Sequence, residues 1–156
     1  MRYYLMVNCY RSLETGGISM EIKLLELEEK TDARGTLVAL EGGLSLPFDI
    51  KRIYYMYSVP GGMSRGSHAH ADLQQLHICL SGSCRIRLSD GSEQQDVVLD
   101  RPNRGLLIDR PTWREIYDFS PDCVLLVLCD KYHAEEDYIR DYAEFLKLVG
   151  KESQDE

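Results

Sequence analysis

Between residues 35 and 129 the chain is cut into short apolar runs, each closed by a turn, and none is long enough for a helix of ordinary length. Gly35 to Leu40 follows a turn at Asp32-Ala33-Arg34. Arg52 to Val59 is rich in tyrosine and isoleucine and stops at Pro60-Gly61-Gly62. Leu76 to Leu80 ends at Ser81-Gly82. Cys84, Ile86 and Leu88 alternate with Arg85 and Arg87, the signature of a half-buried strand, and Asp90-Gly91 marks a hairpin. Asp96 to Leu99, Gly105 to Ile108, Glu115 to Phe119 and Val124 to Cys129 continue the series. Many short strands at near-regular spacing predict a sandwich or a barrel.

One helix is expected, near the C-terminus. Glu135, Glu136 and Asp137 suit a helix start, Lys147 suits its end, and Gly150 can cap it. Tyr138, Tyr142, Phe145 and Val149 fall on one stripe. Residues 1–19 show no clear period and are expected to be a loose N-terminal extension, with Met20 as the natural start. The folded domain is expected over 20–150, and 151–156 should be a frayed tail.

The 156 residues suffice for one domain with a real core, with 44% of them apolar. A net charge of −8 argues against a nucleic-acid partner and against an anionic membrane surface. No apolar run approaches the roughly 20 residues that span a bilayer. The five cysteines form no CxxC pair. Four of them, Cys79, Cys84, Cys123 and Cys129, lie in or beside apolar runs and are expected to be small core residues of a cytoplasmic protein.

The candidate site begins at Arg65-Gly66-Ser67-His68-Ala69-His70. On an extended backbone two histidines one residue apart point the same way. Two imidazoles on one wall make half a metal site or a proton-transfer pair.

Gly62, His68, His70, Gln75 and Gly82 are spaced as in the first cupin motif, with Gln75 where metal-binding cupins carry glutamate. Pro111-Thr112-Trp113-Arg114-Glu115 is similar to the second motif, with Arg114 where a histidine is usual. Glutamine is a weak neutral ligand and a guanidinium cannot bind a cation. No metal is therefore expected in this site, and the histidines are left for acid–base work. Thr31 to Glu41, Pro47 to Tyr55, Arg65 to His70, Cys79 to Cys84, Asp118 to Cys123 and Asp137 to Arg140 together resemble the WxcM-like cupins, over about Ile22 to Leu148.

The resemblance implies an all-β fold, a single jelly-roll cupin barrel with a C-terminal helix, and a homodimer. It implies movement of a carbonyl from C4 to C3 in a dTDP-linked 4-keto-6-deoxyhexose, through an enediol and without a cofactor. His68 and His70 would be base and proton shuttle, an assignment that spacing alone does not divide between them. Tyr55 would join them at the sugar. Arg34 would hold the diphosphate, with Arg65 a weaker candidate for the same task. Gln75, Trp113 and Arg114 would line the substrate. The departures are Arg114, in place of the third histidine of the family's Trp-His-Glu, and Ala71, where a basic residue is usual. Arg114 could stabilise an enediolate instead. A nucleotide-sugar binding module without chemistry and a 3,5-epimerase-like cupin are the other classes.

If residues 1–19 are dispensable, a chain beginning at Met20 keeps full solubility and turnover. A large loss of either would show that the extension pairs with a sheet edge.

Overall fold

The computed structural model describes Tyr10, Arg11 and residues 20–151. The expected character of 1–9, 12–19 and 152–156 lies outside the described residues. Tyr10–Arg11 form a two-residue strand, β1, antiparallel to β2 (Lys23–Glu26). Then follow β3 (Glu29–Asp32), β4 (Gly35–Val38), β5 (Arg52–Tyr57), β6 (Arg65–His70), β7 (Gln75–Ser81) and β8 (Cys84–Ser89). After these come β9 (Gln94–Leu99), β10 (Arg104–Ile108), β11 (Trp113–Tyr117), β12 (Val124–Cys129), β13 (Tyr138–Ile139) and α1 (Tyr142–Leu148).

The strands make two main sheets. One runs β1-β2-β10-β7-β12-β5 and the other β13-β6-β11-β8-β9. All pairings within them are antiparallel. β3 and β4 form a separate hairpin whose residues are mostly exposed. The protein is thus mostly β, as its short punctuated runs predict.

The main core contains Cys79, Ile86, Leu88, Leu99, Leu106, Ile116, Leu125 and Val127. These residues come from both main sheets. β7 is buried on both faces. Its alternate residues Leu76 and Ile78 belong to a second cluster with Leu46, Phe48, Leu107 and Leu128. The 40–50 segment therefore covers the outside of the six-stranded sheet. This double burial explains why β7 reads as a continuous apolar run rather than an alternating one.

Two local features differ from expectation. The acidic residues 135–137 form one 3₁₀ turn, after which the chain is extended at β13 and pairs with β6. The helix begins only at Tyr142, where the Asp141 carboxylate accepts from the amides of Ala143 and Glu144. Pairing to β6 outweighs the local helix signal, because it satisfies backbone groups and buries Tyr138 against the histidines.

The second feature is a bulge. Arg114 opposes His68 while Ile116 opposes Arg65, so β6 carries an extra residue between them. Gly66 lies there at φ +72°, a conformation only glycine adopts cheaply.

Helix α1 lies against β11 through aromatics. Trp113 meets Tyr142 edge-on at 5.1 Å and Phe145 at 5.9 Å. Phe145 has no exposed surface. Phe145→Ala should therefore cost about 3–5 kcal/mol in chemical denaturation. A cost under about 1 kcal/mol would mean that the helix is not docked.

Candidate active site

Between the sheets lies a cavity of about 420 Å³, a size suited to a small organic ligand. Strand alternation decides its lining. From β5 it receives Arg52, Tyr54 and Met56, from β6 Arg65 and His68, from β7 Gln75 and His77, and from β11 Arg114 and Ile116. His133 and Tyr138 complete it. Among the described residues the lining has three arginines and no carboxylate, in a chain of net charge −8. The cavity thus attracts an anion although the whole protein repels one.

The histidine pair forms a chain of contacts. His68 Nε2 lies 3.2 Å from His70 Nε2, and His70 Nδ1 lies 2.9 Å from Oδ2 of Asp137. The other Asp137 oxygen accepts from the Asp72 amide at 2.8 Å. Burial, and then the nearby Arg114 charge, push both imidazoles down to about 3, so both are neutral near pH 7. With two neutral rings the protons have one consistent arrangement. His70 donates from Nδ1 to the carboxylate, and its bare Nε2 accepts from His68 Nε2–H. Nδ1 of His68 is then the free base. His68 lines the cavity, whereas His70 sits behind it, and the Tyr138 ring packs 4.9 Å from one and 4.3 Å from the other.

Arg114 is 2% exposed, and none of its three guanidinium nitrogens has a partner among the described residues. Burial lowers it to about 10, so it stays charged at neutral pH. A buried cation without a hydrogen bond is costly to hold, and it points to a ligand atom that would supply the missing acceptor. Gln75 donates to the Tyr54 hydroxyl at 3.1 Å, and desolvation pushes Tyr54 up to about 12, so it remains a protonated phenol.

The donor set does not fit a cupin metal. Gln75 offers an amide already bonded to Tyr54, and the fourth corner is the Arg114 cation.

The sequence-predicted residues divide. His68, His70, Gln75, Arg65 and Arg114 are brought to the cavity or directly behind it. Three are not. Tyr55 is 63% exposed and stacks on Tyr57 outside the sheet, and its neighbour Tyr54 faces in. The run Arg52-Ile53-Tyr54-Tyr55-Met56-Tyr57 is apolar or aromatic on both faces, so pattern alone could not select the face. Trp113 packs beneath α1 and does not line the cavity, because it and Arg114 point to opposite sides of β11. Arg34 sits on the exposed β3–β4 hairpin, its side chain 90% exposed and paired with Asp32 at 2.5 Å.

His77 is buried and also lines the cavity, with Nδ1 unpartnered among the described residues. His133 is exposed at the cavity rim, 3.7 Å from Glu135. Residue reading missed Tyr54, Tyr138 and Asp137. Tyr54 lay within the likeness over Pro47 to Tyr55, and the signal for the other two was the likeness at Asp137-Tyr138-Ile139-Arg140, which the helix expectation obscured.

His68, His70 and His77 are all held near 3, chiefly by burial. Below the ordinary histidine value of about 6.5 the unfolded chain takes up protons there that the folded chain refuses. Stability is therefore complete above about pH 6.5 and falls as the pH drops toward 3. Urea midpoints measured from pH 7.5 to 4.5 should show this loss, and His77→Asn should lessen its slope by about one proton. A flat profile in the parent protein would disprove the burial of neutral imidazoles.

Comparison with known proteins places the chain in context. Residues 20–150 match the family model described as FdtA: WxcM-like, C-terminal. The chain is 46% identical over 132 residues to TDP-4-oxo-6-deoxy-alpha-D-glucose-3,4-oxoisomerase of Aneurinibacillus thermoaerophilus, covering 85% of this chain and 95% of that one. A crystal structure of a 3,4-ketoisomerase from Helicobacter canadensis is 46% identical with a TM-score of 0.81, over 85% of this chain and 99% of its own. A sugar 3,4-ketoisomerase from Thermoanaerobacterium thermosaccharolyticum, solved in complex with TDP, is 42% identical with a TM-score of 0.81, over 83% and 95%.

Proposed function

The chain belongs to the WxcM-like, C-terminal family, and on that footing we propose that His68, backed by His70 and Asp137, carries its proton chemistry. The protein is a nucleotide-sugar 3,4-ketoisomerase. Its substrate is a TDP-linked 4-keto-6-deoxyhexose, as the names of its relatives indicate. The observation that carries the reading is the neutral His68–His70–Asp137 chain beside an unpartnered buried guanidinium.

Movement of the carbonyl requires removal of the C3 proton, an enediol, and return of a proton to C4. Nδ1 of His68 accepts the C3 proton. The imidazolium formed keeps its Nε2–H on His70, and Asp137 stabilises the charge along the chain. Negative charge develops on the C4 oxygen, and Arg114 supplies the matching cation from a fixed, desolvated position. The C3 hydroxyl proton passes to the C4 oxygen and His68 gives its proton to C4, which leaves a C4 hydroxyl, the 3-keto product and a neutral imidazole. Tyr54, a phenol through the neutral pH range, can hydrogen-bond a sugar oxygen. Arg65 and Arg52 line the cavity and favour the diphosphate.

The two antiparallel sheets support reading the fold as a cupin jelly roll. Ile53, Tyr55 and Tyr57 are exposed on the outer face of β5, an edge strand, and this apolar stripe supports a homodimer. Four described cysteines without disulfides fit a reducing cytoplasm. Among the described residues no helix is long and apolar enough to cross a membrane.

Replacement of His68 or His70 by Asn keeps bulk and removes the titrating nitrogen. Each variant should lose roughly 10²–10⁴-fold in turnover while still binding dTDP. Tyr54→Phe should slow turnover and Tyr55→Phe should not. Proton NMR of the sugar in deuterated buffer reads both effects. Normal turnover by both histidine variants would remove the assignment, and tight binding without solvent exchange in the parent protein would favour a binding module.

A further inference from the structure

The end of the core formed by the 81–84 and 120–123 turns holds a second group of chemically active side chains, which the sugar chemistry does not use. Cys79 at the inner face of β7, Cys84 at the start of β8 and Cys123 just before β12 converge on one another. Their sulfur atoms all lie within 4.8 Å of one another, with Cys79 and Cys123 3.8 Å apart. The residues are 0%, 1% and 4% exposed. Cys79 and Cys84 flank one turn, and the pairing of β12 with β7 brings Cys123, 44 residues beyond Cys79, to them.

We propose that these three cysteines form a binding site for a thiophilic divalent cation of the zinc and cadmium class. The donor set is entirely sulfur, which selects soft or borderline metals over magnesium or calcium. A metal–sulfur bond of about 2.3 Å gives sulfur–sulfur edges of about 3.8 Å in a tetrahedron, so the triad needs little movement to close on an ion.

The surroundings are electron-rich. Cys79 Sγ lies 3.0 Å from the Ser81 carbonyl oxygen and 3.4 Å from that of Gly82. In the absence of an ion these carbonyls are acceptors for the Cys79 thiol proton, and the Ser81 carbonyl stands beside the triad.

The two turns are locked together. The Ser83 amide donates to the Ser120 hydroxyl at 2.9 Å, and that hydroxyl donates to Asp122 at 2.7 Å. Gly82 has φ +64°, and a β-carbon there would stand 2.2 Å from the Ser120 oxygen. This close joint holds Cys84 and Cys123 in register with Cys79. It also leaves the triad just beneath surface turns, through which an ion can pass by local opening.

On binding, the thiols give up their protons, up to three per site, and three metal–sulfur bonds form. The three thiolates and the divalent ion carry a net charge of −1. No oxidant or reductant is needed.

The test uses the full chain carrying Cys9→Ser and Cys129→Ser, so that the triad supplies its only thiols. The protein is reduced, freed of metal with a chelator and titrated with cadmium. One equivalent should bind with a thiolate-to-metal charge-transfer band, release two to three protons at pH 7, and raise the melting temperature by about 5 °C or more. Further replacement by Cys84→Ala, or separately by Cys123→Ser, should abolish the band, with the circular dichroism spectrum of each variant checking its fold. The idea is overturned if less than about 0.2 equivalents bind, if the band survives both replacements, or if uptake leaves the melting temperature unchanged. None of these readouts depends on sugar turnover, so the outcome is separate from that of the proposed function.

Discussion

A guanidinium sealed in the protein without a hydrogen-bond partner is the constraint around which the site is arranged. Arg114 stays charged after burial, and its field is a leading cause, after burial itself, of the neutrality of His68, His70 and His77. It takes the place where a metal-binding cupin would present a ligand, so it excludes a cation from that corner by its own charge. One residue thereby links three properties: neutral bases, a cationic cavity, and a vacant hydrogen-bonding capacity turned toward a ligand.

The cost of burying that charge is borne by an ordinary β core. The sheets meet through apolar side chains, and β7 is anchored on both of its faces. The cavity opens where the same inward positions change from Cys79 and Leu125 to His77, Gln75 and Arg114. Rigidity at one end of the interior thus supports precision at the other. The Gly66 bulge adds a local adjustment by offsetting β6 against β11 just before His68.

Proton transfer in this geometry rests on a tautomer argument. Asp137 takes the Nδ1 proton of His70, which obliges His70 Nε2 to accept, which in turn leaves Nδ1 of His68 free. A carboxylate 67 residues away in sequence therefore selects which nitrogen is the base. The strand pairing of Tyr138 with His70 brings it there. The same short pairing overrides a helix signal in residues 135–137, so a local failure of pattern reading coincides with a functional position.

The sequence by itself determined that this is a β protein with a C-terminal helix, that it belongs with the WxcM-like cupins, and that His68 and His70 point the same way from one strand. Those properties follow from short-range pattern, from the period of two along a strand and from motif spacing. Motif spacing also selected Gln75 and Arg114, and both line the cavity. It could not choose between Tyr54 and Tyr55, because β5 carries large apolar or aromatic groups on both faces and so has no readable inside. It could not tell that Trp113 and Arg34 lie outside the cavity lining, because a motif match does not say what a helix will cover or how far a hairpin stands out. The tertiary structure alone decided that Asp137 meets His70, that Arg114 has no partner among the described residues, and that Cys123 meets Cys79 and Cys84 at one end of the core. Each depends on contacts between strands remote in sequence, and the pairing of two sheets, unlike the period of one strand, is not written locally.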